Sequence, residues 1–401
     1  MSLSLSKRAQ SLGTENAFVV LAEVNKLIAE GYDITSFCIG QPDFPAPMHV
    51  QEAGHEAIRA GKHGYTPSAG IMELRQAAAQ YMGDMRGLTI EPEDVVVGSG
   101  AKPFIAYTIL STTDYGAGDE VIYPVPGFPI YESQITINGA VPVPLYLREA
   151  RNFAFDPNEL EAKITPKTKL LILNSPQNPT GGILTKQNLE DIAAILRKHP
   201  QIWVFCDEIY SRLTFEGSFS SLASLPDMQE RCIISDGASK TWAMTGWRIG
   251  YAGGPQWLIK AMGDLQSQST SNPCSISQYA VTAALNGPQD FLKERNAKFK
   301  ERRDLVVAML NDAPGLNCPV PEGAFYVYPD ASGVMGKTTP KGRKIETDAD
   351  LIDYFLDDWN VAAVHGGAFG LSPGFRISYA TSNEALKTAC ERIQSACAEL
   401  V

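Results

Sequence analysis

The sequence predicts an α/β fold: a three-layer α/β/α unit with a mostly parallel sheet, joined to a smaller α+β unit. With 401 residues, the chain is too long for one small core and suits two packed units. Between residues 95 and 234, short apolar runs alternate with longer helical patterns, the order of a parallel sheet covered by helices. We expect a large unit over 48–285 and a small unit formed by 1–47 and 286–401.

Five apolar runs are the candidate strands of the larger unit. No polar residue interrupts them, so we expect both of their faces to be buried. Helices are predicted between them, for example over 102–111 and over 185–198, where Thr185 is a capping residue and Pro200 a stop. The strands are predicted at residues 95–97, 121–123, 170–173, 203–205 and 232–234.

The pattern changes towards the C-terminus. Strands are predicted at 323–327 and 375–379, among further helices. The segment 332–347 is rich in Gly, Lys and Thr and is predicted to be a mobile surface loop. These features favour a separate α+β unit rather than a continuation of the parallel sheet.

The composition argues against several functional classes. Lys and Arg total 34 against 45 Asp and Glu, and a net charge of -11 disfavours nucleic acid and anionic membranes as partners. The seven cysteines form no CxxC pair and the histidines show no metal-ligand spacing, so we expect no disulfide framework and no metal site. No signal-peptide pattern or apolar run of membrane-spanning length is visible, which favours a cytoplasmic protein.

The strongest local signal is the segment 239–250, Ser-Lys-Thr-Trp-Ala-Met-Thr-Gly-Trp-Arg-Ile-Gly. Lys240 comes just after a predicted strand, and Arg248 follows on the same loop. A lysine amine can form an imine with a cofactor aldehyde, and an arginine can hold a cofactor phosphate. A solvated surface pair is the alternative, but Trp242 and Trp247 bring more apolar bulk than surface loops usually carry.

This segment resembles the cofactor-lysine motif of the class I/II aminotransferases, the fold type I pyridoxal-phosphate family that includes bacterial aspartate aminotransferases. The similarity runs from Ile-Gly-Gln-Pro-Asp-Phe at 39–44 to Phe-Arg-Ile-Ser-Tyr-Ala at 375–380. It implies an enzyme that uses pyridoxal 5'-phosphate to move an amino group from an L-amino acid to a 2-oxo acid, with aspartate and glutamate as candidate substrates. A carbon–sulfur lyase or another fold type I enzyme is the alternative, because these enzymes share the same motifs.

The resemblance gives catalytic roles to Lys240, Asp207 and Tyr210. Asp207 follows the predicted strand 203–205, at the end where parallel sheets bind ligands. Its carboxylate would keep the ring nitrogen of the cofactor protonated, which makes the ring a strong electron sink. Tyr210 would donate a hydrogen bond to the ring oxygen. Without the resemblance, an exposed acid at a strand end is the better interpretation of Asp207.

The remaining cofactor contacts follow from the same resemblance. Gly100 and Ala101 lie between a strand and a helix and would hold the phosphate through backbone amides. Phe128 would stack on the cofactor ring, and Asn178 would reach the ring oxygen. The other predicted cofactor-binding residues are Lys102, Asp207, Tyr210, Ser239, Lys240, Arg248 and Tyr65.

The substrate carboxylate is expected to bind Arg376, Asn178 and the backbone of Gly40. A guanidinium grips a carboxylate through two parallel hydrogen bonds. In the predicted strand 375–379, Arg376 needs an anion, and an internal salt bridge is the alternative. Tyr65 resembles the tyrosine that reaches the phosphate of the neighbouring subunit, which implies a homodimer with shared active sites.

Two positions complicate the resemblance. Gly237 stands where some relatives carry a phosphate-binding serine, so Ser239 or the backbone would have to compensate. Lys102 either attracts the distal carboxylate of the substrate, as in some bacterial aspartate aminotransferases, or is a solvated lysine turned away by Pro103. Candidates for lining the pocket around the substrate side chain are Phe18, Val19 and the loop 271–273.

Overall fold

The computed structural model describes residues 3–10, 12 and 16–401, and the side chains of all of these except 16–19. Phe18 and Val19, which were candidates for lining the pocket, therefore lie outside the described side chains. The helices are α1 (Lys7–Gln10), α2 (Asn16–Ala29), α3 (Met48–Arg59), α4 (Met72–Arg86), α5 (Lys102–Thr112), α6 (Ile130–Ile137), α7 (Pro157–Lys163), α8 (Lys186–Leu196), α9 (Ala238–Thr241), α10 (Gln256–Ser269), α11 (Ser275–Asn286), α12 (Phe291–Asn311), α13 (Asp348–Trp359) and α14 (Asn383–Ala398). The strands are β1 (Thr35–Ser36), β2 (Val95–Gly98), β3 (Glu120–Val125), β4 (Val141–Tyr146), β5 (Thr168–Asn174), β6 (Trp203–Asp207), β7 (Cys232–Gly237), β8 (Gly250–Gly253), β9 (Tyr326–Val327), β10 (Val361–Ala362), β11 (Val364–His365) and β12 (Phe375–Ser378).

A seven-stranded sheet in the order β2-β8-β7-β6-β5-β3-β4 forms the centre of the larger unit. Only β8 runs antiparallel to its neighbours. Along β5, Leu171 and Leu173 pack into one apolar cluster, whereas Leu170 and Ile172 pack into another. Because successive side chains of a strand point to opposite faces, the sheet is buried on both sides. The predicted α/β/α arrangement with a mostly parallel sheet is confirmed.

The C-terminal part builds a second core. Strands β11, β12 and β9 form a three-stranded antiparallel sheet, which packs with α12, α13 and α14. The N-terminal segment joins this core, because β1 pairs with β10 and Phe37 is buried in the same cluster. The predicted strand 323–327 is shortened to Tyr326–Val327. The predicted loop 332–347 is anchored by Val334 and Ile345, which are both fully buried.

The carboxyl ends of the parallel strands meet at one edge of the large sheet. Strands β2, β5, β6 and β7 run in the same direction, and they end at Gly98, Asn174, Asp207 and Gly237. Residues that follow these ends are therefore neighbours in space although they are distant in sequence. This edge of a parallel sheet is where ligands bind in α/β proteins.

Other structural features bear on the classes considered above. Along the described parts of the chain, no helix is both long and apolar enough to cross a membrane. Over the same residues, no three His, Cys, Asp or Glu side chains are grouped as metal ligands would be. The seven cysteines are free, with Cys274 exposed and the other six buried.

Candidate active site

A cavity of about 510 Å³ opens at this edge of the sheet and reaches into the C-terminal core. Ligand sites in enzymes are commonly concave and of this size. Most of the predicted site residues line it: Gly40, Ala101, Lys102, Phe128, Asn178, Asp207, Tyr210, Ser239, Lys240, Arg248 and Arg376.

Lys240 lies in the short helix α9, directly after β7. Its amine donates a hydrogen bond of 2.5 Å to the carbonyl of Gly40. The same amine lies 5.9 Å from the ring centroids of Tyr210 and Phe325. The neighbouring residues Ser239 and Thr241 are buried, so the backbone that carries the lysine is fixed. Lys240 is partly buried and lines the cavity, whereas its partner in the solvated-pair alternative, Arg248, is exposed.

Asp207 is the last residue of β6 and is 9% exposed, so it is not the exposed acid that its position at a strand end suggests. Its Oδ2 accepts a hydrogen bond of 2.7 Å from the hydroxyl of Tyr131. Its Oδ1 is buried and has no hydrogen-bond partner among the described residues. Burial raises the pKa of Asp207 to about 6, and the hydrogen bond from Tyr131 opposes this rise.

Tyr210 shares a hydrogen bond of 2.8 Å with the hydroxyl of Tyr326. Burial raises the pKa of Tyr210 well above its usual value, so the hydroxyl keeps its proton. The ring of Tyr326 lies 4.8 Å from the guanidinium carbon of Arg376. A Cβ added at Gly40 would overlap with the hydroxyl of Tyr326. Glycine at position 40 therefore lets the backbone pass close to the hydroxyl of Tyr326.

Arg376 is 4% exposed, and no carboxylate pairs with it among the described residues. One guanidinium nitrogen donates to the side-chain oxygen of Asn178 at 3.0 Å, and another donates to the carbonyl of Cys38. Within the described part of the chain, the buried Nε has no hydrogen-bond partner. The internal salt bridge considered as an alternative is therefore wrong, and the cavity holds a buried cation with donor capacity left for an anion.

At the other end of the lysine motif, Arg248 lies beside the turn that joins β2 to α5. Its guanidinium donates to the carbonyl of Thr245 at 2.9 Å and to that of Ser99 at 3.3 Å. Gly100 does not line the cavity, but a Cβ added there would overlap with this guanidinium. A helix N-terminus and an adjacent cation together form a suitable anion site.

The two unusual positions have physical explanations. A Cβ at Gly237 would lie 2.9 Å from the α-carbon of Gly250, so the antiparallel strand β8 leaves no room for a serine. Lys102 is the first residue of α5, and its amine lies 5.2 Å from the ring centroid of Phe128. Lys102 lines the cavity and is also exposed to solvent, so its position fits both the distal-carboxylate role and the solvated lysine.

Three further tyrosines, Tyr65, Tyr131 and Tyr326, bear on the composition of the site. Tyr65 does not line the cavity and is 94% exposed on the single chain. Tyr131 and Tyr326, which sequence reasoning missed, both line it. Only the residue type could have indicated them, because a buried tyrosine requires a hydrogen-bond partner for its hydroxyl. Nothing local to either residue identifies that partner.

The sequence model of one family, described as aminotransferase class I and II, matches residues 32–393. The chain belongs to the class I and II aminotransferases. A relative from Cereibacter sphaeroides, named aspartate/prephenate aminotransferase, is 45% identical over 401 residues, which are 100% of this chain and 98% of the relative. The aspartate aminotransferase of Rhizobium meliloti strain 1021 is 44% identical over 98% of this chain and 96% of its own.

Solved structures of other aminotransferases share the whole fold. The crystal structure of an aspartate aminotransferase from Rhizobium meliloti matches with a TM-score of 0.95 and 43% identity, over 100% of both chains. The Thermus thermophilus aspartate aminotransferase with maleate matches with a TM-score of 0.92 and 35% identity, over 98% of this chain and 100% of that one. This protein is therefore a pyridoxal-phosphate-dependent aminotransferase with the fold of its family.

The cavity of this aminotransferase fits pyridoxal phosphate. The unpartnered Oδ1 of Asp207 offers an acceptor to a protonated ring nitrogen. The start of α5 and Arg248 offer an anion site for the phosphate, and Lys240 offers the amine that an aldehyde requires. The three features line one cavity or border it, so a single molecule can meet all of them.

Proposed function

We propose that this aminotransferase takes aspartate as its amino donor and transfers the amino group to a 2-oxo acid such as 2-oxoglutarate. The observation that carries the proposal is a pair of cations, Arg376 and Lys102, in the cavity that also contains Lys240. A substrate with two carboxylates has one acidic group for each of them. The names of the relatives and the maleate, a dicarboxylate, in the Thermus thermophilus structure support the same substrate class.

Arg376 and Asn178 would hold the α-carboxylate of the substrate, and the carbonyl of Cys38 holds the arginine in place. The ring of Tyr326 covers the guanidinium and limits how it can turn. Glycine at position 40 leaves room for the carboxylate beside this group. The substrate is thereby oriented before any bond is broken.

Lys240 would take the proton from the α-carbon of the substrate and later return it, because its amine lines the same cavity as Arg376. When bound, pyridoxal phosphate supplies an electron sink that stabilises negative charge at the reacting carbon. Asp207 would stabilise the positive charge of the ring nitrogen, and Tyr210 would donate to the ring oxygen. Phe128 would pack on the ring.

The phosphate would be held by Gly100, Ala101, Ser239 and Arg248. Gly100 and Ala101 lead into the start of α5. The first backbone amides of a helix have no hydrogen-bond acceptor within that helix. Lys102 would bind the distal carboxylate of the substrate rather than the phosphate.

We further propose a homodimer in which Tyr65 of each chain completes the site of the other. The support is its exposure of 94%, which is unusual for a large aromatic side chain on a single chain. The proposed units are 48–285 and 1–47 with 286–401, because the large sheet lies within the first range and most residues of the second core lie within the others. A cytoplasmic location agrees with the acidic composition and the free cysteines.

The proposal is tested by incubating the pyridoxal-phosphate-loaded enzyme with 2-oxoglutarate and each of the standard amino acids other than glutamate, and measuring glutamate formation. We expect aspartate to give the highest kcat/KM. In a second series, prephenate replaces 2-oxoglutarate as the acceptor, with aspartate as the donor. The relative from Cereibacter sphaeroides is named aspartate/prephenate aminotransferase, which suggests this acceptor. A preference for apolar amino acids over aspartate would contradict the proposed substrate class.

A further inference from the structure

The two carboxylate oxygens of Asp207 have different surroundings. Oδ2 accepts a hydrogen bond of 2.7 Å from the hydroxyl of Tyr131, while Oδ1 is buried without a partner among the described residues. A buried charged oxygen without a donor is costly. The asymmetry indicates that one oxygen is held by the protein and that the other is kept for a bound group.

Tyr131 is fully buried in the first turn of α6, directly after the turn that carries Phe128. The two rings pack edge to face with centroids 5.8 Å apart, and both residues line the cavity. Burial and the adjacent Asp207 raise the pKa of Tyr131 well above its usual value, so its hydroxyl remains a donor. One short segment therefore supplies both an aromatic ring and a hydrogen-bond donor to the site.

The backbone of Asp207 is held independently of Tyr131. The side-chain amide of Asn174 donates to the carbonyl of Asp207 at 2.9 Å, and β6 pairs with both β5 and β7 at this position. Loss of the Tyr131 hydroxyl would therefore leave the strand in place. It would change only how the carboxylate is held.

We propose that Tyr131 is a positioning residue for the cofactor: its hydroxyl fixes Oδ2 of Asp207, which keeps the carboxylate ionised and leaves Oδ1 for the ring nitrogen of pyridoxal phosphate. The inference rests on the role of Asp207 proposed above. It extends that role to a residue on a different helix, which touches the carboxylate rather than the cofactor.

The test measures the affinity of cofactor-free protein for two compounds: pyridoxal phosphate, and its analogue in which carbon replaces the ring nitrogen. In Tyr131→Phe, we expect the affinity for pyridoxal phosphate to fall about tenfold, because a hydrogen bond to a charged group is lost. The affinity for the carbon analogue should stay the same, since it has no ring nitrogen for Asp207 to stabilise. Equal losses for both compounds would mean a merely structural role and would overturn the inference.

Tyr107→Phe is the matched control. Tyr107 is a buried tyrosine of the same apolar cluster, and its hydroxyl pairs with Ser269 at 2.8 Å instead of with Asp207. We expect this variant to bind both compounds as the wild type does. If Tyr107→Phe lost affinity for pyridoxal phosphate alone, removal of any tyrosine hydroxyl from this cluster would produce the effect. That result would also contradict the inference.

Asp207→Asn separates the inference from the role of Asp207 itself. If this variant binds both compounds as the wild type does, the proposed role of Asp207 is wrong. If it loses affinity for pyridoxal phosphate alone while Tyr131→Phe does not, only the inference about Tyr131 is wrong. If the proposed roles of Asp207 and Tyr131 are both correct, adding Tyr131→Phe to Asp207→Asn should have no further effect on the affinity for either compound. The carboxylate charge that the hydroxyl stabilises is then already absent.

The double variant keeps the inference testable if Tyr131→Phe alone does not fold. An unfolded single variant together with a folded double variant supports the inference, because removing the buried charge removes the need for its donor. If the double variant is unfolded while Asp207→Asn folds, Tyr131 serves the core instead, and the inference is overturned.

Discussion

Arg376 donates a hydrogen bond of 3.0 Å to the side-chain oxygen of Asn178, and the two residues belong to or follow strands of different sheets. Asn178 follows β5 of the large sheet, whereas Arg376 lies in β12 of the smaller one. The contact brings these two residues to one cavity, and with them the two groups proposed to bind the α-carboxylate. A substrate held there contacts both parts of the chain at once.

Arg376→Lys should lower kcat/KM for aspartate roughly 100-fold, because a lysine cannot make two parallel bonds to a carboxylate and leaves the buried site incompletely paired. Steady-state kinetics measure the change, and most of it should be in KM. The affinity of the cofactor-free variant for pyridoxal phosphate should equal that of the wild type. An unchanged kcat/KM would exclude Arg376 as the carboxylate-binding residue.

Lys102→Ala should lower kcat/KM for aspartate about tenfold, the effect of losing one hydrogen bond to a charged group. Alanine has no distal carboxylate, so its low activity as a donor should not change. Lys260→Ala is the control, since Lys260 pairs with Asp264 on the exposed side of α10. Equal effects of Lys102→Ala on both amino acids would support the solvated-lysine interpretation instead.

Arg86→Met should destabilise the fold by about 3–5 kcal/mol, because it leaves two buried carboxylates without their cation. The guanidinium of Arg86 contacts Glu208 at 2.7 Å and Asp236 at 3.4 Å, directly behind the site. Urea unfolding measures the change. Arg343→Met removes an exposed pair with Asp357 and should cost less than about 1 kcal/mol. Similar losses of unfolding free energy in the two variants would contradict the expectation that the buried ion pairs matter more than the exposed one.

Asp207 should make the stability of the cofactor-free protein fall as pH rises. Burial raises its pKa in the folded state to about 6 from 3.8, so between these values the folded protein holds a proton that the unfolded chain has released. The penalty is complete above about pH 6 and disappears below about pH 4. The free energy of unfolding of Asp207→Asn, relative to wild type, should therefore increase by about 2 kcal/mol between pH 4 and pH 7.5. A pH-independent difference would contradict the raised pKa.

The sequence predicted those parts of the site that depend on local motifs. Asp207 ends β6 and Lys240 lies in the short helix directly after β7, and apolar runs identify both strands, so the place of these two residues at one sheet edge follows from the parallel topology. Arg248 lies on the loop between α9 and β8. The partners of Asp207 and Tyr210 were not predictable in this way. Tyr131 is 76 residues from Asp207, and Tyr326 is 116 residues from Tyr210, so these contacts exist only after folding.

The errors in the secondary structure also have physical causes. The predicted strand 323–327 is shortened because Ala324 has a φ of 58°, a left-handed conformation that interrupts extended pairing. The loop 332–347 contains many Gly, Lys and Thr residues, and this composition concealed the two apolar residues, Val334 and Ile345, that anchor it in the core.

The most direct test of the proposed function is the identity of the lysine that holds the cofactor. Borohydride reduction of the pyridoxal-phosphate-loaded enzyme, followed by digestion and mass spectrometry, fixes the cofactor to that lysine and locates it. We predict one modified peptide with the label on Lys240, and no label and at least about 10⁴-fold less transfer in Lys240→Ala. A label on another lysine, or transfer by Lys240→Ala at the wild-type rate, would contradict the role proposed for Lys240.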